Sequence, residues 1–307
     1  MNPSVTALVV TYNRKELLCQ CVDALANQTR KPNRILVVDN ASTDGTSDAM
    51  DAASTLYKDL LEYLRLPENS GGAGGFAAGL RHAVESGAQW TWIMDDDAIP
   101  RPDALEILLD RSLNSANLYG SAALSGDQLA WPMQKIGKND SLHRITGVSD
   151  LAAETEVRFL PFLGLLVSAS TVKQIGVPDA GFFLAADDVD YCLRARRAGA
   201  RVVLVRDSRI DHPPSKSRST LFLGWRVDTL ELPPWKRYYD IRNRILVAKK
   251  HHGFALLYAT LPGTLIRAMV TLTYAPDRRS QLRACWGGTV DGLLGRKGQR
   301  HQAWGLG

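Results

Sequence analysis

Short apolar runs and helical stripes alternate along this chain, each pair separated by a polar loop. Residues 5–10 form a β-branched run that ends in Thr11, Tyr12, Asn13 and Arg14. From about 15 to 26, Leu17, Leu18, Cys21, Val22 and Leu25 recur at helical spacing, which predicts an amphipathic helix. A second apolar strand at 35–38 ends at Asp39, and the loop NASTDGT leads to a helix expected from 47 to about 56. A third strand is read over 62–66, then a glycine-rich turn at 67–75 and a helix over 76–86. The stretch QWTWIMDDDAIP at 89–100 reads as a buried strand whose tip carries Asp95, Asp96 and Asp97. This order of elements predicts an α/β fold, a mainly parallel central sheet with flanking helices.

The pattern loosens beyond residue 110. A helix is expected near 103–109, and 114–160 reads as a variable loop with short strands. An apolar strand over 160–168 precedes a short helix at 171–175. A helix over 189–198 follows Asp187 and Asp188, and a strand is expected at 201–205, before Asp211 and His212. The segment 235–250 reads as a helix with Tyr238, Ile241, Ile245 and Leu246 as its apolar stripe and Arg242, Arg244, Lys249 and Lys250 on charged faces. Residues 251–274 read as an interfacial helical hairpin interrupted by Pro262 and Arg267 rather than a membrane span, because no run of 18 uncharged apolar residues occurs. The last ten residues are expected to be disordered.

Charge changes this picture more than composition does. Residues 1–190 hold 15 basic and 25 acidic side chains, whereas 191–307 hold 22 basic and 7 acidic, inside a net charge of +5. A basic C-terminal third points to a polyanionic partner or an anionic membrane face; no nucleic-acid recognition motif accompanies it. The four cysteines lack zinc-finger spacing and fit reduced thiols, and the N-terminus has no signal-peptide pattern, so a cytoplasmic location is expected.

Candidate chemistry sits at strand ends. Three adjacent carboxylates repel one another and attract a cation, and hard oxygen ligands suit Mn or Mg. A turn that caps the next helix would explain the same residues. The glycine-rich stretch lacks the Lys-Ser/Thr of a nucleotide-hydrolase phosphate loop, yet it permits close backbone approach to a ligand. Asp187, Asp188 and Asp190 sit at the start of a helix, where the dipole favours acidic residues, and could simply cap it.

Taken together, TYNR at 11–14, VVDNASTDGT at 37–46, ENSGGAGGF at 68–76, MDDD at 94–97, FFLAADDVDYCLRARRAG at 182–199, Asp211-His212 and YYDIRNRI at 238–245 resemble an inverting family 2 glycosyltransferase of the GT-A type. Within that family they look most like bacterial galactofuranosyltransferases. The resemblance implies a GT-A catalytic domain over 1–232, with a nucleotide-sugar half at about 1–110 and an acceptor half at about 111–232. A helical C-terminal region over 233–307 would follow. It further implies that Thr11 and Asp39 contact the base of a UDP-sugar donor, and that Arg14 lies near the nucleotide. Asn69, Gly71 and Gly72 would shape the adjoining wall, with Asp95 and Asp96 beside the donor. Asp95, Asp97 and His212 would hold a divalent cation, Mn or Mg. Asp188 would serve as general base, with Asp187 organising the acceptor. Trp131, Trp225 and Trp235 are candidates for stacking on the acceptor, expected to be a polyprenyl-diphosphate-linked saccharide met at the inner face of the plasma membrane. An apolar C-terminal region could also pair subunits in a homo-oligomer. Three other readings are weighed beside it: a rhamnosyltransferase using dTDP-rhamnose, a nucleotidyltransferase, and a non-catalytic module that binds anionic glycolipid.

Overall fold

A computed structural model describes residues 3–137, 141–222 and 224–306. These fall into two compact units, Met1–Asp179 with Asp188–Pro214, and Ala180–Asp187 with Ser215–Gly307.

The first unit opens with strand β1 (Val5–Thr11), helix α1 (Lys15–Ala26), β2 (Arg34–Asp39), α2 (Thr46–Tyr57), β3 (Leu61–Arg65), α3 (Gly71–Glu85) and β4 (Trp90–Asp95). It continues through β5 (Ile99–Pro100), α4 (Ala104–Leu109), β6 (Leu118–Ser125), β7 (Gln128–Ile136), β8 (Leu142–Gly147), β9 (Glu154–Glu156), β10 (Leu163–Ser168), α5 (Ala169–Ile175), α6 (Asp187–Arg197) and β11 (Val202–Asp211). The main path of the sheet runs β3-β2-β1-β4-β10-β6-β11-β5. Only β3-β2-β1-β4 and the β6-β11 pair are parallel; β10 runs antiparallel to both of its neighbours. The sheet is therefore mixed, and the mainly parallel expectation holds only for its N-terminal half, where each strand is returned by a helix.

Both faces of the sheet are covered. Leu8, Val10, Leu36, Val38 and Ile93 pack toward Phe76 and Leu80 of α3, while Ala7, Val9, Ile35, Val37 and Trp92 pack toward Leu18, Val22 and Leu25 of α1. That two-residue alternation, buried on both sides, is why these strands read as continuous apolar runs.

Glycines 71–75 are the first turns of α3 rather than a loop. A Cβ on Gly75 would lie 2.5 Å from Val10, and one on Gly79 would lie 2.3 Å from Leu8, so these glycines let the helix sit close on the sheet. The stretch read as a loop with short strands contains β6, a fully internal strand of eight residues, and the β7-β8 hairpin. Residues 138–140 of that stretch lie outside the described residues.

The second unit holds the hairpin β12 (Ser217–Phe222) and β13 (Trp225–Leu230), and helices α7 (Pro234–His251), α8 (Leu261–Tyr274) and α9 (Arg278–Leu293). It thus takes in 215–232, which the sequence reading gave to the catalytic part. The hairpin is tied to α8 through Thr229 Oγ1 and Tyr274 OH, 2.9 Å apart, and Arg218 stacks on the Tyr274 ring. A π-helical turn at Leu256–Thr260 runs into α8, giving one helical rod, Leu256–Tyr274, in place of the expected hairpin. By length and composition alone this rod could cross a membrane. Pro262 does not break it, because proline fits the first turn of α8.

The tail is packed, not disordered. Gly288 and Gly292 let α9 lie directly on α7: a Cβ on Gly288 would be 2.6 Å from Tyr238 O, and one on Gly292 would be 3.0 Å from Arg242 O. Asp291, fully buried, accepts from Tyr238 OH at 2.6 Å, Trp304 Nε1 at 3.0 Å and Arg300 Nε at 3.1 Å, and so fastens the end of the chain. Gly307 lies outside the described residues.

Candidate active site

Strand order reverses between β1 and β4. At such a switch point, loops from neighbouring strands diverge and leave a crevice at their carboxyl ends. Thr11 and Arg14 come from the end of β1, and Asp95, Asp96 and Asp97 from the end of β4. The loops after β1 and β2 are sewn together: Asn13 N donates to Ser42 Oγ at 2.9 Å, Thr43 N to Asn13 Oδ1 at 2.7 Å and Lys15 N to Asp44 Oδ2 at 3.0 Å. Asn13 and Ala41 adopt positive φ to make these turns.

Within this crevice Thr11 Oγ1 donates to Asp96 Oδ2 at 2.8 Å, and Arg14 Nη1 reaches Asp96 Oδ1 at 3.2 Å and Asp97 Oδ2 at 2.7 Å. Thr11 is buried and engaged with Asp96, so it positions a carboxylate instead of facing a base directly. Asp96 is itself buried, and that desolvation raises its pKa despite Thr11 and Arg14. Burial also acts to raise Asp97, but the His212 hydrogen bond and charge, with the Arg14 guanidinium, outweigh it and hold the carboxyl below its usual value.

His212 reaches Asp97 because β5 pairs with the end of β11, Ile99 opposite Asp211. A proline is tolerated there because β5 lies at the end of the strand path. His212 Nε2 lies 3.2 Å from Asp97 Oδ1. Its Nδ1 lies 2.6 Å from Pro213 O, a carbonyl that can only accept, so Nδ1 is the donor there and Nε2 is the nitrogen turned toward Asp97, the one that a bound cation would engage. Cis ligands of an octahedral ion with bonds of about 2.1 Å lie roughly 3 Å apart, close to the observed separation. Asp97 and His212 therefore fit two positions on Mn or Mg, an ion that commonly keeps further sites for substrate phosphates. Among the described residues no three His, Cys, Asp or Glu side chains converge as a ready cage. Asp95, expected as a third ligand, ends β4 opposite Val10 of β1, and the carboxylates that share Arg14 are Asp96 and Asp97.

Asp39 is completely buried. Its oxygens accept from Ser42 N at 2.9 Å and Tyr63 OH at 2.6 Å, so its first task is to hold the loop after β2. Tyr63 and Arg65, whose guanidinium donates to Ser42 O at 2.9 Å, were missed in the sequence because nothing in the third strand itself shows that it lies beside the end of β2. Asn69 Oδ1 accepts from Gly71 N at 2.8 Å and turns the chain into α3, with Gly71 at φ +72. Gly72 follows in the same turn, near the Phe76 ring.

At the start of α6, desolvation pushes the Asp188 carboxyl up to about 6, against the Val189 N–H, which Asp188 Oδ1 accepts at 2.7 Å. Asp190 is consumed differently: it takes Arg194 Nε at 2.9 Å within the helix. Of these acids, Asp188 has the profile of a base poised near neutrality. Asp187 closes the second unit's segment Ala180–Asp187, where Phe183, Ala185 and Ala186 all have φ between 62 and 68. Each left-handed residue other than glycine costs roughly 1–2 kcal/mol, so this backbone is strained.

The tryptophans separate. Trp131 is part-buried against the core, and Trp235 packs on Tyr239 and His301, so both serve packing. Trp225, on the β12-β13 hairpin, is 77% exposed and is the candidate left open for stacking. Arg242, expected on a charged face, is fully buried beneath Tyr238 and Tyr239.

The glycosyl transferase family 2 model matches residues 6–137. The galactofuranosyltransferase GlfT1 of Mycobacterium tuberculosis is 34% identical over 260 residues, covering 80% of this chain and 82% of its own. The dTDP-rhamnosyl transferase RfbF of Shigella flexneri is 24% identical over 305 residues, covering 97% of this chain and 98% of its own. Among solved structures, the mannosyltransferase PcManGT from Pyrobaculum calidifontis, in complex with GDP-Man and Mn2+, superposes with a TM-score of 0.60 at 16% identity, covering 96% of this chain and 88% of that one. The chain belongs to the family 2 glycosyltransferases, has the α/β architecture of the GT-A type, and is related at about a third identity to the galactofuranosyltransferases of actinobacteria.

Proposed function

We propose that this glycosyltransferase moves galactofuranose from UDP-galactofuranose, with inversion, onto a polyprenyl-diphosphate-linked saccharide in cell-wall or surface polysaccharide synthesis. The observation that carries the reading is the pairing of Asp97 with Nε2 of His212, beside Arg14 at a strand switch point. Mn or Mg bound there would supply positive charge to a departing diphosphate. Arg14 would add a guanidinium at the same edge, and Asp96, fixed by Thr11, would hold that guanidinium in place. Asp188 would take the proton from the acceptor hydroxyl as that oxygen bonds to the anomeric carbon and the bond from that carbon to the diphosphate breaks. Asp187 would orient acceptor hydroxyls.

A peripheral seat on the cytoplasmic membrane face fits the second unit. Leu257, Tyr258, Leu265, Ile266 and Met269 are exposed apolar side chains along the rod, and Phe254 is exposed just before it. The surrounding chain, 191–307, is rich in Lys and Arg. Apolar contact with cationic flanks is the combination that anionic lipid attracts.

The full-length similarity to RfbF favours a second reading, transfer of rhamnose from a dTDP-sugar. Incubation with a panel of nucleotide sugars and a synthetic polyprenyl-diphosphate disaccharide, with Mn and with chelator, read by product mass, tests both. A hexose added only from UDP-galactofuranose supports the first reading, and a deoxyhexose from dTDP-rhamnose the second. Turnover unaffected by chelation would overturn the role given to Asp97 and His212.

A further inference from the structure

The YYDIRNRI segment has no task in the chemistry above, yet its central pair is densely hydrogen-bonded to backbone. Asn243 is fully buried, and its Nδ2 donates to three backbone carbonyls, Phe182 O at 3.0 Å, Leu184 O at 2.6 Å and Ala185 O at 2.9 Å. Its Oδ1 accepts from Arg242 Nε at 2.8 Å, which fixes which end of the amide faces the carbonyls. Arg242 donates in turn to Phe182 O at 2.7 Å, Gly181 O at 3.3 Å and Gly298 O at 2.6 Å. Gly298 N closes the ring by donating to Gly181 O at 2.7 Å.

The clamped carbonyls, those of 181, 182, 184 and 185, alternate with and include the strained residues. Phe183, Ala185 and Ala186 hold left-handed backbone without being glycine, and the next residues in the chain are Asp187 and Asp188. Strain of this kind persists only where surrounding contacts over-determine it. The Arg242 guanidinium is met by carbonyl dipoles and by the Tyr238 and Tyr239 rings, 5.5 and 4.7 Å away. A buried cation spent on backbone carbonyls marks a site where one backbone conformation is being enforced.

We infer that Asn243 and Arg242 are positioning residues for transfer. They hold 183–186 in the conformation that presents the Asp187–Asp188 pair to the acceptor, and they do not touch substrate. This inference rests on Asp188 being the base.

The test uses the full chain with UDP-galactofuranose, Mn and a synthetic polyprenyl-diphosphate disaccharide. Asn243→Ala is expected to unfold cooperatively, to bind UDP with Mn as the parent does, and to lose roughly a hundredfold in kcat with donor KM within twofold, since misplacement by about 1 Å costs about that much. Adding Ala185→Gly and Ala186→Gly to Asn243→Ala relieves the strain, and should restore thermal stability but not kcat. A purely structural clamp would see both restored, which overturns the inference. If Asn243→Ala does not fold, Arg242→Lys, which keeps the charge and loses the fork, is measured in its place with the same expectation. Asp188→Asn is the control. If it abolishes turnover while Asn243→Ala (or Arg242→Lys) keeps kcat within threefold, the positioning role fails and the base assignment stands. If Asp188→Asn itself turns over normally, the base assignment fails first, and the positioning role falls with it.

Discussion

The clearest prediction concerns pH and Asp188. Desolvation lifts its carboxyl from an ordinary 3.8 to about 6, so an acceptor meets mostly carboxylate at pH 7 and mostly acid at pH 5. With a base of that pKa, kcat should fall about tenfold per pH unit below 6 and level off above about pH 7. Asp188→Asn removes the base and should lower kcat by about 10²–10⁴ while leaving the binding of UDP unchanged. Stability should move the other way. A carboxyl raised on folding binds its proton more tightly in the folded state, so its contribution is lost as pH rises from about 4 to about 6. Full desolvation would set a ceiling of about 3 kcal/mol; the side chain is only part-buried, so the gain in Asp188→Asn above pH 7 should be nearer 1 kcal/mol. Steady-state rates from pH 5 to 8, with thermal unfolding at pH 5 and 8, measure both. A flat rate profile, or an Asp188→Asn enzyme retaining more than a tenth of kcat, would refute the assignment.

Other outcomes follow from packing and charge. Gly288→Ala should destabilise the protein by about 1–3 kcal/mol in urea unfolding, because the new methyl meets the Tyr238 carbonyl at 2.6 Å and backbone cannot step aside. Asp291→Ala strands the Tyr238, Trp304 and Arg300 donors, and should cost about 3–5 kcal/mol and speed proteolysis of the C-terminal residues. Leu257→Glu with Leu265→Glu should abolish flotation with phosphatidylglycerol vesicles while leaving rates on a short-chain acceptor unchanged; flotation that survives would remove the lipid-facing role from these side chains.

The N-terminal half was legible because its signals are local. Runs such as 5–10 and 90–94 name strands by themselves, and the polar residues after them fall at strand ends by topology. His212 came from family resemblance; nothing local brings it to Asp97, and the β5-β11 pairing that does so links residues more than a hundred positions apart. The second unit misled for the same reason. Gly288 and Gly292 offer no apolar stripe to read until α7 is known to lie against them. Arg242 looks like a surface charge until the carbonyls of 181 and 182, some sixty residues earlier, are seen to solvate it. The glycines at 71–75 look like a loop because sequence does not show that β1 and the loop after β2 lie under them.

The pairing of Asp97 with His212 is tested most directly by Mn binding, followed by electron paramagnetic resonance with and without UDP. The parent enzyme should bind Mn more tightly when UDP is present, and His212→Ala and Asp97→Asn should each weaken that binding at least tenfold without disturbing the fold. Equal Mn affinity in all three proteins would place the ion elsewhere and contradict the account.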